Sequence, residues 1–323
     1  MRHAAYYFRA HLYTQVPRHV REDLTWMADH GAAAVVLGVI EQDLDAAREN
    51  IDLICREADR VGLQVWATPS RWGNLVAGCP KVPSILCAVK PECWAQRADG
   101  RPWMSFLGPH ASIYHSATRE VIAALVTRTL TQWPITGLVW DEPKAVHVQD
   151  HCPAAKAALG DLVHDADAQR RGQCGFFGWA NAIARQAKPD VFLGLFTFAH
   201  DHEPLIGELA MQAELDSFGC DGRPWAVSDG GVNDNPERAL PSKLLIDAGP
   251  RFIEVARRHR RRSLALIENH ALPVSCHELM DRRMPEIIAQ GWDDLLWYYY
   301  PRSCEDPDGA MAILGRHLRR IAG

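Results

Sequence analysis

Eight short apolar runs alternate with longer amphipathic segments along the whole of this 323-residue chain. The runs have the length of β-strands, and the segments between them carry apolar residues at helical spacing. We predict strands at residues 5–8, 33–40, 63–67, 136–140, 191–198, 215–219, 263–267 and 295–299. Strict alternation of strands and helices indicates βα units and a parallel sheet. Eight such units predict a single α/β domain folded as a closed (β/α)₈ barrel, the TIM barrel.

Two long stretches interrupt the alternation, at residues 70–116 after the third strand and at residues 143–189 after the fourth. The first stretch is rich in Pro, Gly and Trp, and the second has room for two helices. Connections of this length inside a compact domain are usually functional. An open, doubly wound sheet is the alternative fold. The barrel is preferred because no predicted strand is followed by G-x-G-x-x-G or by a phosphate-binding loop.

Charge and cysteine content narrow the class of protein. The net charge of -5 disfavours nucleic acid or an anionic membrane as a partner, and we expect neither. No apolar run has the length of a bilayer-spanning helix, and the first residues lack the pattern of a signal peptide. The nine cysteines are odd in number and have no zinc-type spacing, which is typical of a reducing compartment. We therefore predict a cytoplasmic protein, and the oligomeric state is left open.

Polar side chains follow several of the predicted strands at their carboxyl ends, where a TIM barrel carries its active site. Asp141 and Glu142 follow the fourth strand, and Glu268 follows the seventh. His200 and Asp221 follow the fifth and the sixth. Because strands four and seven lie on opposite sides of a barrel, Glu142 and Glu268 are expected to face each other. Glycosidic bond hydrolysis needs two carboxyl groups that flank the bond, one to protonate the leaving oxygen and one to attack the anomeric carbon or to activate water.

Aromatic and polar side chains near the same strand ends suit a carbohydrate, whose apolar ring faces lie flat on aromatic rings. Arg71 could bind substrate hydroxyls, or it could pair with a site carboxylate and lower the pKa of that carboxylate. The predicted substrate contacts are Arg9, His11, Trp66, Arg71, Trp72, Asn74, Trp140, His200, Asp221, Trp297 and Tyr298.

The ends of strands four, seven and eight resemble those of the retaining glycosidases that are built on TIM barrels. That clan carries an acid/base Glu after strand four, a nucleophilic Glu after strand seven and often a Trp on strand eight. Glu142, Glu268 and Trp297 match these places. The resemblance implies a glycoside hydrolase that acts by double displacement on a carbohydrate, without a cofactor or a metal. The chain departs from the clan at Asp141, where Asn is usual, and at Cys220-Asp221, where a Tyr is usual.

Two further glycosidase or sugar-binding hypotheses stay open. Another barrel glycosidase pattern uses an Asp nucleophile after strand four and an Asp acid after strand six, and Asp141 and Asp221 match it. A barrel could also bind sugar without turning it over, since a fold does not fix a function.

The competing enzyme class is a metal-dependent sugar isomerase or epimerase. Glu142, Asp221 and Glu268, with His200 or Asp201, would supply the oxygen and imidazole ligands that a divalent metal needs. This layout resembles the metal-dependent sugar isomerase and endonuclease barrels. Those barrels usually carry a His at strand six, and this chain has none there.

Overall fold

Eight parallel strands close into a barrel in chain order, so the predicted (β/α)₈ TIM barrel is confirmed. The computed structural model describes residues 1–7, 15–78, 80–224 and 245–322. The barrel strands are β1 (Arg2–Tyr7), β2 (Ala34–Val39), β3 (Gln64–Pro69), β4 (Ile135–Asp141), β5 (Phe192–Phe198), β6 (Ser217–Gly222), β7 (Arg262–Ile267) and β8 (Asp294–Tyr298).

Helices surround the barrel, and further short elements lie in the two long connections. The helices of the described residues are α1 (Pro17–Asp29), α2 (Asp43–Ala46), α3 (Arg48–Arg60), α4 (Ile85–Val89), α5 (Ser116–Gln132), α6 (Pro153–Leu159), α7 (Ala166–Ala187), α8 (Leu205–Ala210), α9 (Leu245–Arg258), α10 (His277–Ala289) and α11 (Pro307–Ala322). A small antiparallel hairpin, Met104–Ser105 with Gly108–Pro109, lies between β3 and β4. None of the described helices combines the length and hydropathy that crossing a bilayer requires.

The strands are buried on both faces, as parallel strands in a barrel must be. Successive side chains point alternately into the barrel and out towards the helices. Tyr6, Val139 and Phe196 fill the interior, whereas Trp140 and Trp297 pack in the layer between strands and helices. Full burial of a large apolar side chain contributes about 1.5–3 kcal/mol, so both layers stabilise the position of the strand ends.

Two glycines allow close packing inside the barrel. A Cβ on Gly137 of β4 would lie 2.5 Å from the Trp66 indole, which occupies that space. A Cβ on Gly219 of β6 would lie 1.5 Å from the backbone oxygen of Leu264 on β7. No side chain fits at that distance, so Gly219 is required for β6 and β7 to approach each other as they do.

Two strand boundaries differ from the prediction by three residues. The predicted sixth strand covers residues 215–219, but β6 runs to Gly222 because Asp221 pairs in register with Phe198 of β5 and Leu266 of β7. Asp221 is therefore a residue of the strand and does not follow it. Strand β1 begins at Arg2, three residues before the predicted start. The charge of Arg2 is accommodated there by Asp294, whose carboxylate lies 2.8 Å from the guanidinium.

Candidate active site

A cavity of about 350 Å³ lies at the carboxyl ends of the barrel strands. Among the described residues it is lined by four acidic and five basic side chains. The acidic ones come from the last residue of β4, the residue after it, strand β6 and the residue after β7. They are Asp141, Glu142, Asp221 and Glu268.

Three of these carboxylates converge on one point. One oxygen from each of Glu142, Asp221 and Glu268 lies within 4.8 Å of the others. Asp221 and Glu268 are buried, and Glu142 is partly buried. The structure thus brings Glu142 and Glu268 together across the cavity and adds Asp221 to the pair.

Glu142 has a strained backbone that its surroundings hold in place. Its φ is 40°, in the left-handed region that residues other than glycine rarely adopt. Its N–H donates to the carbonyl of Phe196 at 2.9 Å, and Ala77 N–H donates to the carbonyls of Asp141 and Glu142 at 2.8 and 3.2 Å. Strain of this kind clusters at functional sites, because the rest of the fold must stabilise it.

Glu268 is positioned by hydrogen bonds from the residues on either side of its strand. Its N–H donates to the carbonyl of Gly222 at 2.8 Å. The next residue, Asn269, donates through Nδ2 to the Tyr298 carbonyl at 3.0 Å and accepts from the Tyr298 N–H at 2.9 Å. The end of β7 is therefore tied to both β6 and β8, and the Arg223 guanidinium lies 3.8 Å from the Glu268 carboxylate.

Lys144 provides a cation beside Glu142. Its Nζ donates to Glu142 Oε2 at 2.5 Å and lies 3.9 Å from the centre of the Phe198 ring. Phe198 stacks in turn on His200, with ring centres 4.8 Å apart. An ammonium at this distance stabilises the charged form of a carboxylate.

Asp141 is the last residue of β4, lines the cavity and is 4% exposed. Burial, and after it the Glu142 carboxylate, raise the pKa of Asp141 to about 7, while Lys144 and Arg71 act in the opposite direction. Asp141 therefore keeps a large share of its proton near neutral pH.

The raised pKa of Asp141 predicts how the free energy of unfolding depends on pH. The folded-state pKa of Asp141 lies above the unfolded value of about 3.9, so the folded protein binds this proton more tightly. The contribution of Asp141 to the free energy of unfolding should be full below pH 4 and should fall as the pH rises to about 7. Asp141→Asn should make the stability less dependent on pH over this range, measured by urea unfolding at a series of pH values. The exposed control Asp190→Asn should keep the wild-type slope, and an equal slope in Asp141→Asn would contradict the assignment.

Four of the predicted substrate contacts line the cavity, namely Arg71, His200, Asp221 and Tyr298. Arg71 donates through Nη2 to the Gly78 carbonyl at 2.6 Å and through Nε to the Pro80 carbonyl at 3.3 Å. Arg9 and His11, also predicted to contact substrate, lie outside the described residues.

The structure does not bring the predicted tryptophans to the cavity, which corrects the aromatic part of the predicted site. Trp297 and Trp140 point outwards from β8 and β4 because side chains alternate along a strand. Trp297 Nε1 donates to His3 Nδ1 at 3.2 Å, and Trp140 Nε1 donates to Asn181 of α7 at 2.8 Å. Among the described residues, the aromatic rings of the cavity are instead Phe106, Phe198 and Tyr298, besides two histidines.

Three other predicted contacts are buried away from the cavity. Trp66 points into the barrel but lies near the start of its strand, 4.4 Å from the Phe192 ring, with Nε1 donating to Gln64. Trp72 donates through Nε1 to the Val39 carbonyl at 2.9 Å. Asn74 donates through Nδ2 to Ser105 Oγ at 2.9 Å and so ties the small hairpin to the loop after β3.

Besides Ala77, Gly78, Phe198 and His270, five described residues of the cavity lining were not predicted as site residues: Lys81, Phe106, Lys144, Arg223 and Arg302. Lys144 and Arg223 each stand two residues after a predicted site acid, so reading further past the strand ends would have found them. The other three lie in connections, and no local pattern in the sequence marks them.

Glu142, Asp221 and Glu268 are the residues that could hold a divalent cation, since hard cations prefer carboxylate oxygens. No histidine joins this set in the part of the chain that the structure describes. Lys144 and Arg223 contact two of the three carboxylates, so a metal would have to compete with both cations.

Comparison with known proteins shows the fold. No protein-family model matches the chain, and no curated protein matches it in sequence. Among solved structures, it is similar to a β-galactosidase from the psychrophilic Marinomonas ef1 (12% identity, TM-score 0.66, 100% of this chain and 59% of that chain). It is also similar to the catalytic domain of a β-amylase from Paenibacillus polymyxa (11% identity, TM-score 0.65, 100% of this chain and 98% of that chain). A third similar structure is an endo-β-1,4-mannanase from Thermotoga petrophila (12% identity, TM-score 0.58, 98% of this chain and 76% of that chain). The chain thus spans little more than half the length of the Marinomonas protein.

Proposed function

We propose that this protein is a glycoside hydrolase that cleaves an O-glycosidic bond of an oligosaccharide or glycoside. The observation that carries the proposal is the pair Glu142 and Glu268, which directly follow β4 and β7 and share one cavity with carboxylate oxygens within 4.8 Å of each other. The proteins that share its barrel are named a β-galactosidase, a β-amylase and a mannanase, which supports the same class of reaction.

The spacing favours double displacement with retention of configuration. Carboxyl groups about 5–5.5 Å apart suit direct attack on the anomeric carbon, whereas about 6.5–9.5 Å leaves room for a water molecule and gives inversion. In the proposed reaction a Glu268 oxygen bonds to the anomeric carbon as the glycosidic C–O bond breaks, and Glu142 gives its proton to the leaving oxygen. Glu142 then takes a proton from water, whose oxygen displaces Glu268 from the sugar.

The neighbouring charges fit these two roles. Arg223, 3.8 Å from Glu268, favours the anionic carboxylate that a nucleophile requires. Glu142 must hold a proton when the leaving group departs. Asp221 and Glu268 favour that proton by like-charge repulsion, and Lys144 opposes it. The pH at which Glu142 loses its proton is therefore set by a balance in which Lys144 is the opposing cation.

Lys144→Met should move the alkaline limb of the kcat/KM profile to higher pH by about one unit, because it removes the ammonium that stabilises ionised Glu142. The methionine keeps the length of the side chain beside Phe198. Lys156→Met, at an exposed position on α6, is the control and should leave the profile in place. A limb that stays fixed or moves to lower pH in Lys144→Met would argue against Glu142 as the proton donor.

The proposal is tested with aryl glycosides of both anomeric configurations, assayed with and without EDTA. Release of the aryl alcohol that EDTA does not affect supports the glycosidase.

The second candidate, a metal-dependent sugar isomerase, is favoured by the convergence of Glu142, Asp221 and Glu268. Conversion of free aldoses to ketoses that requires Mn²⁺ or Mg²⁺ and is lost in EDTA, with no aryl glycoside cleaved, would replace the first proposal with the second.

A further inference from the structure

The cavity is richer in positive charge than the chain around it. The whole chain carries a net charge of -5, yet the described lining has five basic side chains against four acidic ones. The basic ones are Arg71, Lys81, Lys144, Arg223 and Arg302. A cleft lined by an excess of one charge concentrates ligands of the opposite charge.

Two of these cations lie beside the carboxylates proposed to carry out the reaction. Lys144 contacts Glu142, and Arg223 contacts Glu268. The other three, Arg71, Lys81 and Arg302, come from the connections between strands, and Lys81 and Arg302 are exposed residues of the cavity lining.

Arg71, Lys81 and Phe106 form a group on one side of the cavity, which we name the rim subsite. The buried Arg71 guanidinium donates to the carbonyl of Pro80, the residue before Lys81. The Lys81 ammonium lies 4.9 Å from the centre of the Phe106 ring. Asn74 ties the hairpin that carries Phe106 to the loop that carries Arg71, through its bond to Ser105. Hydrogen bonds therefore connect three parts of the long connection after β3: the loop with Arg71 and Asn74, the residues next to Lys81, and the hairpin that carries Phe106.

Phe106 gives the rim subsite a flat apolar surface. The side chain is 71% exposed at the tip of the small hairpin, and it lines the cavity. An exposed aromatic ring next to a polar cavity suits the apolar face of a sugar ring. A sugar stacked on Phe106 would hold its substituents close to the Lys81 ammonium, in the cavity that Arg71 also lines. Arginine and lysine at such a place recognise carboxylate, sulfate or phosphate groups.

We propose that the substrate is an acidic carbohydrate and that the rim subsite, assisted by Arg302 of the same cavity lining, binds its anionic group. This inference rests on the proposed glycosidase function and adds the chemical class of the sugar.

The test compares matched pairs of 4-nitrophenyl glycosides that differ only in charge. Glucuronide is paired with glucoside and galacturonide with galactoside, in both anomeric configurations, and the 6-sulfate and 6-phosphate of the glucoside identify the anion preferred. The acidic member of at least one pair should have a kcat/KM about tenfold higher or more, and the preference should shrink as salt is raised from about 20 mM to about 500 mM. Lys81→Met should reduce the acidic-to-neutral ratio about fivefold, whereas Lys156→Met should leave the ratio unchanged.

Two outcomes overturn the inference and can be told apart from failure of the proposed function. Hydrolysis with no preference for any acidic member, or with a preference for the neutral one, removes the rim subsite and leaves the glycosidase standing. If no member is hydrolysed, calorimetry with the same compounds still decides the subsite. Tighter binding of the acidic member, weakened by Lys81→Met, supports it, and equal binding of both members overturns it.

Discussion

Glu268→Ala should abolish glycoside hydrolysis, lowering kcat by about 10³-fold or more, while the protein stays folded. The reason is that the variant removes the oxygen proposed to bond to the anomeric carbon, and no other group in the cavity replaces it in the same position. Glu268 is 7% exposed and directly follows the seventh strand, where Asn269 fixes the backbone. Steady-state kinetics with an activated aryl glycoside, together with thermal unfolding of the variant, measure the loss and the fold separately.

Chemical rescue makes this prediction specific to a nucleophile. In Glu268→Ala the vacated space admits a small anion, so sodium azide should restore part of the activity and give a glycosyl azide of inverted configuration. Glu268→Gln keeps the space filled and should be equally inactive but not rescued. The matched control is Glu278→Ala, at an exposed glutamate in the first turn of α10, which should keep full activity. A Glu268→Ala protein with more than about a tenth of wild-type kcat would refute the role.

Gly219→Ala should destabilise the barrel by roughly 3 kcal/mol or more, or prevent folding altogether. The added Cβ would lie 1.5 Å from the backbone oxygen of Leu264, and a backbone atom cannot move aside as a flexible side chain can. Gly219 also pairs in register with Phe196 of β5. A shift of β6 away from β7 would therefore disturb the pairing of β6 with β5. The free energy of unfolding in urea measures the effect.

The control for this prediction is Gly175→Ala. Gly175 lies in helix α7, and a Cβ there meets no atom within 4 Å. That variant should be unchanged or more stable by about 0.4–1 kcal/mol, because alanine reduces the conformational freedom of the unfolded chain. Equal stabilities for Gly219→Ala and Gly175→Ala would contradict the packing described for β6 and β7. Because Asp221 and Gly222 follow in the same strand, any folded Gly219→Ala protein should also lose activity.

The barrel and its acidic residues could be predicted from the sequence for a simple physical reason. Strand ends are marked by a change from apolar to polar residues, and parallel strands bring those ends to one edge of the barrel. Asp141, Glu142 and Glu268 stand at such changes. The predicted sixth strand ends too early because its end was placed by apolar content. Pairing with the neighbouring strands extends β6 to Asp221 and Gly222.

The aromatic part of the site could not be predicted in the same way. Trp297 and Tyr298 are neighbours on β8, and successive side chains of a strand point to opposite faces. Only the register of the strand decides which of the two points into the barrel. The structure puts Tyr298 at the cavity and Trp297 against Trp26 of α1. Phe106 and Lys81 are brought to the cavity by the path of a long connection, and local sequence does not encode such a path.

The most direct measurement is the mass of the protein after incubation with a 2-deoxy-2-fluoro glycosyl fluoride of the sugar that it hydrolyses. This reagent forms the glycosyl-enzyme and releases it slowly, so the labelled residue can be found by peptide mapping. Double displacement at Glu268 predicts one added glycosyl group, located on the peptide that contains Glu268. A label on Asp141 or Asp221, or no label at all while unmodified substrate is converted to the inverted product, would contradict the proposed mechanism.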